Sequence, residues 1–309
     1  MNLSICIPCY NEEENIFETI SEIKIELEKI KSITNHEFII IDDHSNDNTF
    51  KSISKLKDNT IKCLRLSKRS GSHIAMRAAI KHAIGDAVLC ISADGQEDYI
   101  SISRMISKLN DGNNIVWGVR NNRNEPFFKK VFANAFYFML KRLVKVSNEE
   151  IDISNVDFWI LDKKAANAIN ECNERNTSLF GLIVWLGFKQ EQVHYERKER
   201  RMGNSKWSII SRFKLAKDWI ISFSALPLKL ITYLGISLAL LGFLYAMIIS
   251  ILALMEITTP GWAETVLLIL IIGGVQMTMI GIIGEYLWRT LDETRKRPNY
   301  FIENDSTKE

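Results

Sequence analysis

Residues 38–43 read Phe38-Ile39-Ile40-Ile41-Asp42-Asp43. Four consecutive apolar residues leave no polar face, so the segment reads as a strand buried on both sides of a mostly parallel sheet. Two adjacent carboxylates then end it. Upstream, residues 3–8 form another apolar run, and residues 13–30 between the two carry a helical pattern. Downstream, residues 47–57 and 73–84 read as helices, residues 87–92 repeat the apolar form, and residues 115–119 give a further strand. This alternation defines an α/β doubly wound domain whose ligand loops lie at the carboxyl ends of the strands.

The carboxyl-terminal third differs in kind. Residues 230–254 and 266–283 are long, uncharged and apolar, and each is sufficient for a membrane span, which needs roughly 20 apolar residues. The connection between them, residues 256–264, holds no Lys or Arg. Arg212, Lys214, Lys217 and Lys229 precede the first stretch, and Arg289, Arg295, Lys296 and Arg297 follow the second. The positive-inside rule then sets both termini in the cytoplasm. Residues 127–146 and 207–223 mix aromatic and basic side chains at helical spacing, a pattern suited either to the headgroup plane or to packing on the domain. The expected organisation is a cytoplasmic α/β domain over residues 1–206 and an interfacial helix and linker over 207–229. A two-helix transmembrane hairpin over 230–288 and a basic, then polar, tail over 289–309 complete it.

The charge balance, 39 basic against 37 acidic residues, gives no reason to expect a nucleic-acid partner. The five cysteines include one Cys-x-x-Cys spacing, Cys6 and Cys9, without a second pair to complete a zinc site. The two-residue period of a strand turns that pair to opposite faces, as packed thiols in a reducing setting. The start Met1-Asn2-Leu3-Ser4 lacks the basic and apolar segments of a secretory signal.

Four clusters carry candidate chemistry. Pro8-Cys9-Tyr10-Asn11-Glu12 follows the first strand, where Asn11 is also a reasonable helix cap. Asp42 and Asp43 open a polar run ending at Thr49, and carboxylates in this position accept hydrogen bonds from a base edge or ribose hydroxyls. Ser92-Ala93-Asp94-Gly95-Gln96-Glu97-Asp98 offers hard oxygen ligands for Mg²⁺ or Mn²⁺ against a diphosphate. The basic, Gly-containing run 197–207, which includes Arg200 and Lys206, is suited to closing over phosphates or to screening headgroups.

In this order the clusters resemble the family 2 glycosyltransferases of the polyprenyl-phosphate type. The matching residues are Pro8-x-Tyr10-Asn11-Glu12, Asp42-Asp43-x-Ser45-x-Asp47-x-Thr49, Ala93-Asp94-x-Gln96, Gly118-Val119-Arg120, Asp157-Phe158, Trp185-Leu186-Gly187-Phe188 and Arg200-x-x-Gly203-x-Ser205-Lys206. The resemblance implies a GT-A fold and inverting transfer of a sugar from a nucleotide-diphosphate donor to polyprenyl phosphate at the inner membrane of a bacterium. It implies nucleotide-sugar contacts from Pro8, Tyr10, Glu12, Asp42 or Asp43, and the Ser92-Ala93 segment. Asp94 and Gln96 are the implied metal ligands, and Arg120, Arg200 and Lys206 the phosphate contacts. Asp94 and Asp157 are the candidate catalytic residues. A phosphate monoester with a second pKa of about 6 is already largely dianionic at neutral pH, so Asp157 is expected to orient the acceptor rather than abstract a proton. Relatives of this architecture also imply a homo-oligomer such as a tetramer, with Gly273, Gly274, Gly281 and Gly284 permitting close helix packing.

The sequence departs from that pattern at three places. Ser92 stands at the first acidic position of the usual Asp-x-Asp, Trp159 where an Arg commonly follows Asp-Phe, and Phe180 where an Arg precedes Gly-Leu. Three readings follow: an altered donor sugar, a metal site compensated by Glu97 or Asp98, or a non-catalytic nucleotide-sugar-binding membrane partner. The first is favoured because Asp94, Gln96, Arg200 and Lys206 are retained. A processive synthase is disfavoured by the small membrane portion and the absence of Gln-x-x-Arg-Trp.

Overall fold

The computed structural model describes residues 1–56, 58–121, 155–172, 174, 178–196, 226–255 and 261–308. The chain divides into two compact units, Met1–Arg212 with Pro298–Glu309, and Phe213–Arg297.

The first unit is built on one sheet of eight strands: β1 (Asn2–Cys9), β2 (Asn35–Asp42), β3 (Ile61–Leu66), β4 (Ala87–Cys90), β5 (Ile115–Arg120), β6 (Val156–Asp162), β7 (Gln190–Tyr195) and β8 (Ile302–Asp305). Their order is β7-β5-β6-β4-β1-β2-β3-β8. The block β3-β2-β1-β4 is wholly parallel, as the apolar runs lead one to expect. Beyond it the sheet is mixed: β6 lies antiparallel between β4 and β5, and β7 adds parallel to β5. The expected strand at residues 115–119 is present, but β6 separates it from β4.

Among the described residues the helices of this unit are α1 (Ile16–Glu28), α2 (Thr49–Ser54), α3 (Ser72–His82), α4 (Ser101–Asn110), α5 (Lys163–Glu171) and α6 (Leu179–Trp185). Ile5, Ile7, Phe38, Ile40 and Leu89 join the apolar sides of α1 and α4 in one core. Alternate residues of the same strands, Cys6, Ile39, Ile41 and Cys90, are fully buried outside that cluster, and α3 packs along β1 and β2. Two covered faces explain why β2 is apolar at every central position. All five thiols are free, and Cys6 and Cys9 divide between the two faces as strand alternation requires.

Helix α1 starts at Ile16 rather than residue 13, because the preceding residues bond to the neighbouring loop instead. A second difference lies at the carboxyl terminus. In place of a tail running from residue 289, the second long helix continues to Thr294 and Ile302–Asp305 pairs antiparallel with β3. Ser306 closes the register by exchanging bonds with Cys63, each 2.9 Å.

In the second unit, α7 (Leu226–Leu254) and α8 (Trp262–Thr294) contain the two apolar stretches. By length and composition both are long and apolar enough to cross a membrane. Large apolar side chains such as Leu241, Phe243, Ile269 and Ile283 are uncovered. The two helices meet where Gly235 faces Met279. The expected amphipathic helices at 127–146 and 207–223 fall outside the described residues.

Gly118 on β5 packs against Phe158 on β6, and a Cβ there would overlap the phenyl ring. Phe158 is fully buried and cannot retreat. Gly118→Ala is therefore expected to cost about 1–3 kcal/mol as an overpacked core does, measured as a lower thermal midpoint of the detergent-purified protein.

Candidate active site

The carboxyl ends of β1 and β2 are stapled into one surface by side chain to backbone bonds. The Asn11 amide donates to Ser45 Oγ at 2.9 Å, and the Asn46 amide donates back to Asn11 Oδ1 at 2.9 Å. The Glu12 amide donates to Thr49 Oγ1 at 3.1 Å, and Asn46 Nδ2 reaches the Tyr10 hydroxyl at 3.2 Å. Asn11 and His44 both take left-handed backbone angles, φ 54° and 58°, which is uncommon outside glycine and tolerated best by such short polar residues. Glu12 is buried and accepts from Asn15 Nδ2 at 2.8 Å. Pro8 lies inside β1, opposite Ile41.

The two adjacent carboxylates have separate roles. Asp42 is fully buried and accepts from Arg65 Nη1 at 2.7 Å and from the Ser45 amide at 3.1 Å. Both Asp42 oxygens are thus engaged within the scaffold. Asp43 instead accepts from the Ser70 and Gly71 amides at 2.6 and 2.8 Å. Burial pushes its carboxyl above the usual range, against the pull of those two amides. Beside it, the Arg69 guanidinium lies 4.0 Å over the Tyr10 ring. A flat aromatic and cationic surface next to a carboxylate is suited to a nucleobase. Arg69 was not legible in the sequence because β3, which delivers it, carries Lys62 and Arg65 among its apolar residues.

After β4, Gly95 turns the chain at φ 71°, and Ser92, Asp94 and Gln96 are half-exposed while Ala93 and Glu97 are buried. Ala93 is fixed through its carbonyl, which accepts from Thr19 Oγ1 at 3.1 Å. Ser92 Oγ lies 2.6 Å from Asp94 Oδ1 and within bonding distance of Glu97 Oε1. One hydroxyl proton cannot serve two carboxylates at once. Burial, then the neighbouring Asp94 charge, push the Glu97 carboxyl up to about 7. Its Oε2 is buried without a hydrogen-bond partner among the described residues. The Asp98 carboxylate instead accepts from the Ile100 amide at 3.4 Å at the start of α4, and Glu97 is the carboxylate bonded to Ser92.

On β5 and β6, Arg120 Nη1 lies 3.5 Å from Asp157 Oδ1, and the Tyr195 hydroxyl of β7 donates to Asp157 Oδ2. Arg120 Nε is buried without a hydrogen-bond partner among the described residues. Glu97 is close enough for the Asp157 charge to act on it, so the β4 and β6 acids share one electrostatic field. Sequence reasoning missed Tyr195, whose strand reads as a polar run, Gln190 to Tyr195.

The two positions lacking the expected arginines meet. Trp159 and Phe180 pack edge to face with ring centroids 4.8 Å apart. Trp117 and His73 complete the cluster at 6.2 and 5.5 Å from Phe180. The Trp159 indole N–H is buried and has no hydrogen-bond partner among the described residues. Arg200 and Lys206 lie outside the described residues.

Carboxylates and cationic side chains gathered at the carboxyl ends of a doubly wound sheet, with an antiparallel strand set into it, make a GT-A-like domain. Residues 4–169 match the model of glycosyl transferase family 2, and the chain belongs to that family. It is 34% identical over 309 residues to the prophage bactoprenol glucosyl transferase homolog of Escherichia coli (strain K12), covering 98% of both chains. The uncharacterized glycosyltransferase YkcC of Bacillus subtilis (strain 168) is 36% identical over 304 residues, covering 97% of this chain and 93% of that one. Glucosyl-3-phosphoglycerate synthase from Mycobacterium tuberculosis shares the fold at TM-score 0.50 and 15% identity, over 71% of this chain and 79% of that one. The protein is thus a glycosyltransferase.

His73 gives this region a pH signature. The Leu179 amide donates to its Nδ1 at 3.2 Å, and burial lowers its pKa to about 4. A histidine held neutral in the folded state contributes stability that is complete above the unfolded pKa near 6.5. That contribution is lost as pH falls toward 4. The thermal midpoint of wild type is expected to fall more steeply from pH 6.5 to 4 than that of His73→Phe, read from paired pH series.

Proposed function

We propose that the protein transfers a sugar, with inversion, from a nucleotide-diphosphate donor to polyprenyl phosphate, such as undecaprenyl phosphate, at the cytoplasmic face of a bacterial inner membrane. The observation that carries this reading is the meeting of the Ser92-Asp94-Glu97 group with the Arg120-Asp157 pair at one end of the sheet. Donor phosphates and an acceptor phosphate need such a juxtaposition of acids, for a cation, and a guanidinium, for anions. Support for the acceptor comes from the likeness to a bactoprenol glucosyl transferase homolog and from the two uncovered apolar helices. The bases flanking those helices favour a cytoplasmic catalytic unit. The product would supply lipid-linked sugar for surface polysaccharide modification.

Asp94 and Gln96 would hold Mg²⁺ or Mn²⁺, with Glu97 behind them. Two carboxylates around one hydroxyl, one of them with a buried unpaired oxygen, fit a hard cation. Among the described residues no group of three His, Cys, Asp or Glu side chains converges. That count suits Mg²⁺, which binds through one or two carboxylates and completes its shell with water and substrate phosphate. Bound there, the ion neutralises charge on the departing diphosphate. Tyr10, Arg69 and Asp43 receive the base, with Pro8 and Glu12 shaping the loop around it. Arg120, together with Arg200 and Lys206, grips phosphate. Asp157, tied to Arg120 and Tyr195, orients the acceptor, whose dianionic oxygen attacks without a general base. Where cationic donors are missing, Trp159 and Phe180 offer an apolar wall and one indole N–H, which favours a donor sugar other than the usual one. A homo-oligomer such as a tetramer belongs to the same proposal, with Gly273, Gly274, Gly281 and Gly284 permitting close helix packing.

The three departures also favour a second reading, a non-catalytic nucleotide-sugar-binding partner of a glycan assembly system. Both are tested by supplying purified protein with undecaprenyl phosphate and a panel of nucleotide sugars plus Mg²⁺ or Mn²⁺. Lipid-linked product from at least one donor is expected, and Asp157→Asn should lower kcat roughly 100-fold through misorientation of the acceptor. Binding without turnover selects the second reading, and neither binding nor turnover refutes both.

A further inference from the structure

We infer that the carboxyl-terminal strand β8 sets the geometry of the nucleotide loops, with Glu303 as the positioning residue. This rests on the reading that the Tyr10 and Asp43 loops receive a nucleotide. Glu303 Oε2 accepts from Arg65 Nε at 3.1 Å, while the same guanidinium gives Nη1 to Asp42 and Nη2 to the Ser45 carbonyl at 3.0 Å. A guanidinium is a rigid planar fork, so fixing Nε fixes the direction of the other two donors. Ser45 in turn receives the Asn11 amide, and Asn46 joins Asn11 to the Tyr10 hydroxyl. A continuous path of hydrogen bonds and neighbouring residues therefore runs from β8 to the proposed base surface.

Two features show why that path needs an anchor. Asp42 is fully buried, so its charge depends on Arg65 holding its place. Asn11 and His44 sit in left-handed conformations, which persist where surrounding contacts over-determine them. His44 is held through Nδ1, which donates to the carbonyl of Leu66 at the end of β3 at 3.0 Å, with Glu303 3.6 Å from the same nitrogen. The strand is itself fixed: the Ser67 amide donates to the Phe301 carbonyl at 3.0 Å, beside the Ser306 and Cys63 exchange. Covalently, β8 follows α8 after residues 295–301, so the chain leaving the apolar unit ends as a support for the donor site.

Glu303 is half-exposed and its ion pair with Arg65 adds little stability. A purely structural role therefore predicts almost no phenotype for its removal. The test compares full-length wild type, Glu303→Ala, Glu303→Gln and Arg65→Lys in detergent. Backbone hydrogen exchange is followed over residues 10–12 and 43–48, and UDP, GDP, CDP and ADP are titrated with Mn²⁺. Glu303→Ala should keep its thermal midpoint, speed exchange in those loops and weaken the bound nucleotide about 3–10-fold. The donor KM should rise by the same factor with kcat nearly unchanged. Glu303→Gln, which still accepts from Arg65 Nε, should lie nearer wild type, and Arg65→Lys should shift both readouts further. Unchanged loop exchange in Glu303→Ala and Arg65→Lys overturns the inference, as does wild-type affinity for the nucleotide. Altered exchange in a protein that binds none of the four nucleotides refutes the nucleotide reading while leaving the loop coupling established.

Discussion

A single buried charge organises this site. Asp42 ends the most enclosed strand of the sheet with no exposure to water, where an unpaired carboxylate is costly. Arg65, from the next strand, meets that demand and brings the Ser45 carbonyl with it. The β2 loop is thereby pinned, the β1 loop is pinned to it, and Tyr10 and Asp43 become fixed points. Replacing Asp42 by an apolar residue would leave Arg65 without its partner and the loops without a shared reference.

The same economy appears across the sheet. Where the resemblance leads one to expect two cations, Trp159 and Phe180 are changed together and touch each other. An isolated substitution there would set an aromatic ring against a guanidinium, whereas the pair forms a continuous apolar surface with Trp117. Ser92 belongs to a similar exchange. Its hydroxyl replaces a carboxylate at the first acidic position, and Glu97 places one beside it from five residues away. A carboxyl group beside that position is retained while its source in the sequence moves.

The central sheet was legible because burial on both faces leaves an unmistakable apolar run, as in Phe38 to Ile41. The outer strands were not. In β3, Lys62 and Arg65 interrupt the apolar residues, β7 is mostly polar, and β8 reads Ile302-Glu303-Asn304-Asp305, a pattern that reads as tail. Their pairing depends on partners distant in sequence, which local periodicity does not record. For the same reason the motif residues Asp94, Arg120 and Asp157 stand out in the sequence, whereas Arg69, Tyr195 and Glu303 do not. Asp42 and Asp43 show the finer limit: both are acidic and adjacent, and only the folded chain pairs Asp42 with Arg65 and Asp43 with the Ser70 and Gly71 amides.

The placement of β8 also bears on how copies of the chain can meet. Without it, β3 would present a row of free backbone donors and acceptors, an open template for strand addition by a neighbour. β8 covers that row and substitutes a four-residue rim bearing Glu303 and Asp305. Short, acidic rims repel their like and offer little length for pairing. Self-association by sheet extension is thus discouraged on this flank, and crowding at a membrane surface would not drive these domains into β-linked aggregates there.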